Sequence, residues 1–176
     1  MTQVRVIGIG SGGVSALDCV IAQKLQGVVY IAANTGDLSS SRAHTRILFD
    51  EQGERAAEAR AGEIAAALDG AERVIIITAL GGGTGTGAAP LVARIARERG
   101  AVVSAVVSRP FTFEGDTRQR IAHAGLEQLE SWVDDLAVIV NDDLLQFMDQ
   151  PDIPSIKALF DLATRALAWK TLARIL

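Results

Sequence analysis

Five of the seven residues at positions 81–87 are glycine, interrupted only by Thr84 and Thr86. Such a run costs backbone entropy, so it belongs where the main chain must reach something that a Cβ would block. Neighbouring N–H groups free of side chains can converge on phosphate oxygens, and a helix starting there adds partial positive charge. The Thr84 and Thr86 hydroxyls offer two further donors or a helix cap. Pro90 suits the first turn of that helix, expected over residues 88–99. No lysine follows the glycines, so a phosphate here would be held by backbone amides rather than by the lysine of a P-loop. A plain strand-to-helix turn is the structural alternative, but one glycine suffices for that.

A second glycine-rich stretch, GIGSGGVSAL, places Gly8, Gly10 and Gly13 at G-x-G-x-x-G spacing. Alone, that spacing is common in dinucleotide folds and by chance. Each stretch must be positioned by a strand before it and a helix after it, and the chain supplies both. Residues 4–8, 28–32, 73–79, 101–107 and 136–140 form β-branched, nearly continuous apolar runs, the pattern of strands buried on both faces. Between them, residues 15–25, 54–68, 88–99 and 117–132 have helical length; Ala122, Leu126, Leu129 and Val133 mark one face of the last. Strand–helix alternation predicts an α/β fold with a doubly wound, mainly parallel sheet and helices on both sides. Residues 35–52 are the least regular stretch and read as a surface loop with one helical turn.

Composition narrows the function classes. The 176 residues suffice for one domain; 49% are hydrophobic, 5% aromatic and 22% charged, so the core must be mostly aliphatic. A net charge of −4 argues against a general nucleic-acid or anionic-membrane binder. The single cysteine, Cys19, allows no internal disulfide, and the N-terminus lacks the layout of a signal peptide; a cytoplasmic setting is expected. His44 and His123 have no partners at metal-ligand spacing. Residues 154–176 read as one long helix, roughly 35 Å. Its stripe of Lys157, Asp161, Arg165, Lys170 and Arg174 excludes a membrane span. The rest of its surface is apolar enough to want a further partner.

Taken with three further stretches, the second glycine loop carries a specific resemblance. GGGTGTGAAP, RPFTFEGDTR, NTGD and VNDDLL stand in the order and near the spacing of the FtsZ-like branch of the tubulin/FtsZ GTPase superfamily. The sequence resembles that family, the bacterial cell-division GTPases, over almost its whole length. The resemblance implies a Rossmann-like nucleotide-binding domain for GTP or GDP, with Mg2+ accompanying the nucleotide, and a role in cell-division or cytoskeletal filament assembly. It implies a first phosphate loop at Gly10, Ser11, Gly12, Gly13, Val14 and Ser15. The second comprises Gly81, Gly82, Gly83, Thr84, Gly85 and Thr86, with Gly83, Thr84 and Gly85 at its heart. It further implies ribose contact by Glu114, phosphate or sugar contact by Arg118, guanine reading by Asn141 and base packing by Phe160, with Thr164 one turn beyond. Without the resemblance, these four would read as a capped turn, a solvated helix charge, an N-cap and core packing.

Departures from the family pattern bear on mechanism. Val14 and Ser15 replace a glycine and an asparagine. The glycine-rich insertion that senses the γ-phosphate is missing before Gly53, which puts GTP–GDP discrimination in question. Thr164 stands where the family has a guanine-reading Asp or Asn. The helix resembling the family's central one runs to the last residue; the aspartate-bearing loop and second domain that follow it in the family are absent from this sequence. Self-contained hydrolysis is therefore expected to be weak or absent, with no catalytic residue assigned. Asp142 and Asp143 read as caps of a short helix, and Asp134 and Asp135 as a helix end. Self-association or a protein partner is expected at the C-terminal helix. Two other classes compete with this reading: a nucleotide-gated, non-polymerising scaffold, and a nicotinamide-dependent oxidoreductase. The latter expects an acidic residue at the end of the second strand, where the sequence has Ala33 and Asn34.

Overall fold

The β-branched runs become strands in the structure, a computed structural model that describes residues 3–147 and 155–176. In chain order these are β1 (Val4–Ile9), β2 (Val28–Asn34), β3 (Thr45–Leu48), β4 (Arg73–Ala79), β5 (Val102–Arg109) and β6 (Asp135–Val140). All five neighbouring pairs are parallel, in the order β3-β2-β1-β4-β5-β6. In β4, Ile75, Ile76 and Ile77 are fully buried in succession because both faces are covered. Each such side chain contributes roughly 1.5–3 kcal/mol by leaving water.

Alternate strand residues divide between two cores. One holds Ile7, Ile9, Val74, Ile76, Val103 and Val107 against α2 (Glu54–Ala59), α3 (Ala61–Ala67), α4 (Gly83–Glu98) and α5 (Asp116–Glu130). The other holds Val6, Ile75, Ile77 and Val106 against α1 (Gly10–Ile21) and α6 (Ile156–Ile175). The expected doubly wound α/β architecture is present, including the C-terminal helix. Ser155 caps α6, accepting from the Ala158 N–H at 3.1 Å. Pro154, included in the expected span, lies outside the described residues.

Three local readings differ. The loop expected over residues 35–52 contains β3, an edge strand that buries only Ile47 and so leaves almost no apolar signature. The helix expected over residues 54–68 is broken at Arg60, whose φ of −108° and ψ of 13° leave the helical region. Both glycine stretches become helix almost at once, because Gly10 (φ +72°) and Gly81 (φ +104°) turn the chain within two residues of the strand ends. Pro90 therefore stands inside α4 rather than in its first turn. Its missing N–H forgoes the bond to the Thr86 carbonyl.

Candidate functional site

The strand order reverses between β1 and β4. The helices that follow these strands lie on opposite faces of the sheet and start side by side at its carboxyl edge. A Cβ placed on Gly10 would lie 3.1 Å from the Gly85 nitrogen and 3.3 Å from its Cα, so the two glycine turns are in contact. Thr78, inside β4, donates its hydroxyl to the Ile9 carbonyl at 3.0 Å and fills the space beneath Gly85. Gly81 donates its N–H to the Thr86 hydroxyl at 2.8 Å, which closes the second turn from within.

The helix starts themselves are bare. The starting residues of α2, α3 and α5 include an acidic side chain (Glu54, Glu63 and Asp116), and α6 has the Ser155 cap. Helices α1 and α4 have neither an acid in the first turn nor a side-chain cap. Their orphan N–H groups and positive ends face a common opening, the arrangement that receives an anion.

That opening is a cleft of about 370 Å³. Gly10, Ser11 and Gly12 line it from α1, and Gly82, Gly83, Thr84 and Gly85 from the start of α4. Glu114 and Arg118 line it from the segment after β5, and Asn141, Phe160 and Thr164 from the far end. Five positions assigned by resemblance are not in the wall. Since α1 begins at Gly10, Gly13 has passed the first turn and packs against the Ile77 carbonyl instead. Val14 packs into the adjoining core and Ser15 faces solvent. Gly81 and Thr86 shape the turn from behind.

Asn141 follows β6, is 4% exposed, and its Oδ1 has no hydrogen-bond partner among the described residues. A buried carbonyl left unpaired costs about 1–3 kcal/mol, so the site favours a ligand that brings a donor. Phe160 stands edge-on to Phe111, ring centroids 5.8 Å apart, and offers an exposed aromatic surface beside Asn141. Glu114 accepts from the Phe111 N–H at 2.9 Å and pairs with Arg118 at 3.2 Å. It thus caps its own turn as well as lining the cleft.

A family model described as the tubulin/FtsZ family, GTPase domain, matches residues 3–149. The chain belongs to that family. The tubulin/FtsZ domain is similar to a solved structure of an empty FtsZ dimer from M. jannaschii, with 34% identity and a TM-score of 0.89 over 96% of this chain and 52% of that one. It shares its fold with CetZ from Methanosaeta thermophila (22% identity, TM-score 0.83, 99% of this chain and 54% of that one). The same holds for a GTPγS-bound protofilament of CetZ2 from Haloferax volcanii (24%, 0.79, 97% and 57%). The chain spans a little over half the length of these structures.

Within this tubulin/FtsZ domain, further residues reach the cleft, Thr35 from the NTGD stretch and others that no motif marked. Thr35, just after β2, places its hydroxyl 3.3 Å from that of Thr84. Gln52 and Ser108 also line the wall. Asn34 donates to the Ser11 hydroxyl at 3.4 Å and occupies the end of β2, where a nicotinamide site would want a carboxylate. Asp37 is turned to Ser39, whose hydroxyl and N–H hold its carboxyl below the usual range. Asp142 accepts from the Thr112 N–H at 3.0 Å and from its hydroxyl, while Asp134 accepts from the Val103 N–H at 2.8 Å. Asp135 opens β6 and pairs with Arg174. These aspartates join elements rather than simply ending helices.

Proposed function

We propose that the domain binds a guanine nucleotide, GTP or GDP. The phosphates would lie on the bare starts of α1 and α4, and the base between Asn141 and Phe160. The pairing of those two uncapped helix starts within one cleft carries the reading. The unpartnered Asn141 Oδ1 supports guanine at the far end, since the N1–H and 2-amino group of guanine are donors. Glu114 and Arg118 are placed for the ribose and phosphates, and Thr164 adds one hydroxyl near the base.

A part in cytoskeletal or cell-division filament assembly goes with this reading; one similar structure is an FtsZ dimer. Magnesium would enter on the nucleotide's phosphates, where it keeps several of its own waters. Self-contained hydrolysis should be slow. Glu114 is the carboxylate in the described cleft wall, and its oxygens already serve Phe111 and Arg118. Assembly would use the end of α6. There Trp169 and Leu176 are 74% and 92% exposed beside an apolar groove lined by Leu25 and Leu172. A second copy or another protein would cover it. No helix among the described residues is long and apolar enough to cross a membrane.

Thermal melts of nucleotide-stripped protein test the reading. GDP or GTP at a hundredfold excess over Kd should add about 2.7 kcal/mol, visible as a shift of several degrees, with little effect from ATP or NAD. Equal shifts from all four, or none, would overturn it.

A further inference from the structure

The order of the strands is also a ruler along the cleft. Asn141 follows β6 at one edge of the sheet, Gln52 follows β3 at the other, and the two glycine turns follow β1 and β4 between them. If the proposed nucleotide lies with its base at Asn141 and its phosphates on the glycine turns, its last phosphate points toward the β3 edge. Gln52 meets it there.

The Gln52 side chain reaches inward from the loop before α2 and lies across the start of α4. A methyl group added at Gly83 would run into the Gln52 carboxamide oxygen, with Cβ and Cδ of Gln52 at 3.1 and 3.2 Å. A partially negative oxygen therefore rests over the first residue of an uncapped helix, the place that suits an anion. The same loop is pinned from behind. A Cβ at Gly87, one turn further along α4, would lie 2.7 Å from the Glu54 nitrogen and the Gly53 Cα, so backbone is packed on backbone. The main chain next to Gln52 is thereby fixed beside α4, and the side chain extends from it over Gly83.

We infer that Gln52 is a plug over the terminal-phosphate position of the nucleotide site, which makes the cleft prefer a nucleoside diphosphate to the triphosphate. A diphosphate reaches the glycine turns without disturbing the carboxamide. A third phosphate must take the place over the helix start that the carboxamide oxygen holds. This inference rests on the guanine-nucleotide reading above, and the two fail in different ways.

The test is calorimetric titration of wild type, Gln52→Ala and Gln52→Glu with GDP and with a β,γ-methylene analogue of GTP. Melting curves accompany each variant to confirm folding; the side chain is exposed and its removal leaves the core intact. Wild type should bind GDP about tenfold or more tightly than the triphosphate, a difference of about 1.4 kcal/mol. Gln52→Ala should abolish that ratio by tightening the triphosphate alone. Gln52→Glu should widen it by adding a full charge. A ratio unchanged in both variants, or triphosphate binding weakened in Gln52→Ala, would overturn the plug while leaving the nucleotide site standing. No binding of either nucleotide by any of the three would overturn both.

Discussion

Gly81 and Thr86 are joined by a 2.8 Å hydrogen bond from the glycine N–H to the threonine hydroxyl, and both residues are buried. This contact fixes the turn that presents Gly82, Gly83 and Gly85. Thr86→Val keeps the shape but leaves a buried N–H without a partner, at a cost of about 1–3 kcal/mol. Urea denaturation should show that loss, and Thr86→Ser, which keeps the hydroxyl, should recover the hydrogen-bond part. A valine variant as stable as wild type would show that the bond contributes nothing.

The methyl group of the same threonine points into α5. A Cβ on Gly125 would collide with the Thr86 Cγ2. Gly125→Ala should therefore destabilise by about 1–3 kcal/mol through overpacking. In a Thr86→Ser background, which removes that methyl, the penalty should shrink to a small fraction, a non-additivity expected of touching residues. Equal penalties in both backgrounds would place the strain elsewhere.

Much of this architecture was legible in the sequence because the strands are buried on both faces. A run such as Arg73–Ala79 has one reading when five of its residues are fully inside. Strand β3 was not legible, since it buries a single isoleucine at the sheet edge. The cleft-lining glycines were legible because each run stands between a strand and a helix. Asn141 and Phe160 were not legible from their own types; the family resemblance singled them out, and both line the cleft. Val14 and Ser15 do not line the cleft, because in a helix that begins at Gly10 one packs on the core and the other faces solvent.

Asn141 combines burial with an unpaired carbonyl, so stability and binding should respond in opposite senses. Asn141→Ala should leave the melting temperature of the nucleotide-free protein unchanged or higher. GDP affinity should fall about tenfold, the equivalent of one lost hydrogen bond. Melting curves with and without GDP measure both at once. A variant destabilised when empty but binding normally would mean that Asn141 is structural.

Arg174 and Asp135 tie the last turn of α6 to the edge strand β6, with contacts of 2.6 and 3.3 Å to the two carboxylate oxygens. The Arg174 side chain is 19% exposed and that of Asp135 51%, so solvent screens the pair. Asp135→Asn should cost about 0.5–1 kcal/mol, and the difference from wild type should narrow as salt is raised. Denaturation at two ionic strengths checks this; a cost independent of salt would point to packing rather than charge.

Gly82 gives the most direct approach to the proposed nucleotide site. It lines the cleft in an extended conformation (φ −90°, ψ 160°) that any residue can adopt, and a Cβ there meets nothing within 4 Å. Gly82→Trp should fill the space over the two glycine turns without touching the core. The decisive measurement is calorimetric titration of wild type and Gly82→Trp with GDP, after melting curves show the two equally folded. Saturable one-to-one binding by wild type and none by the variant is the predicted result. Undiminished binding by the tryptophan variant, or no binding by wild type, would contradict a nucleotide held on the starts of α1 and α4.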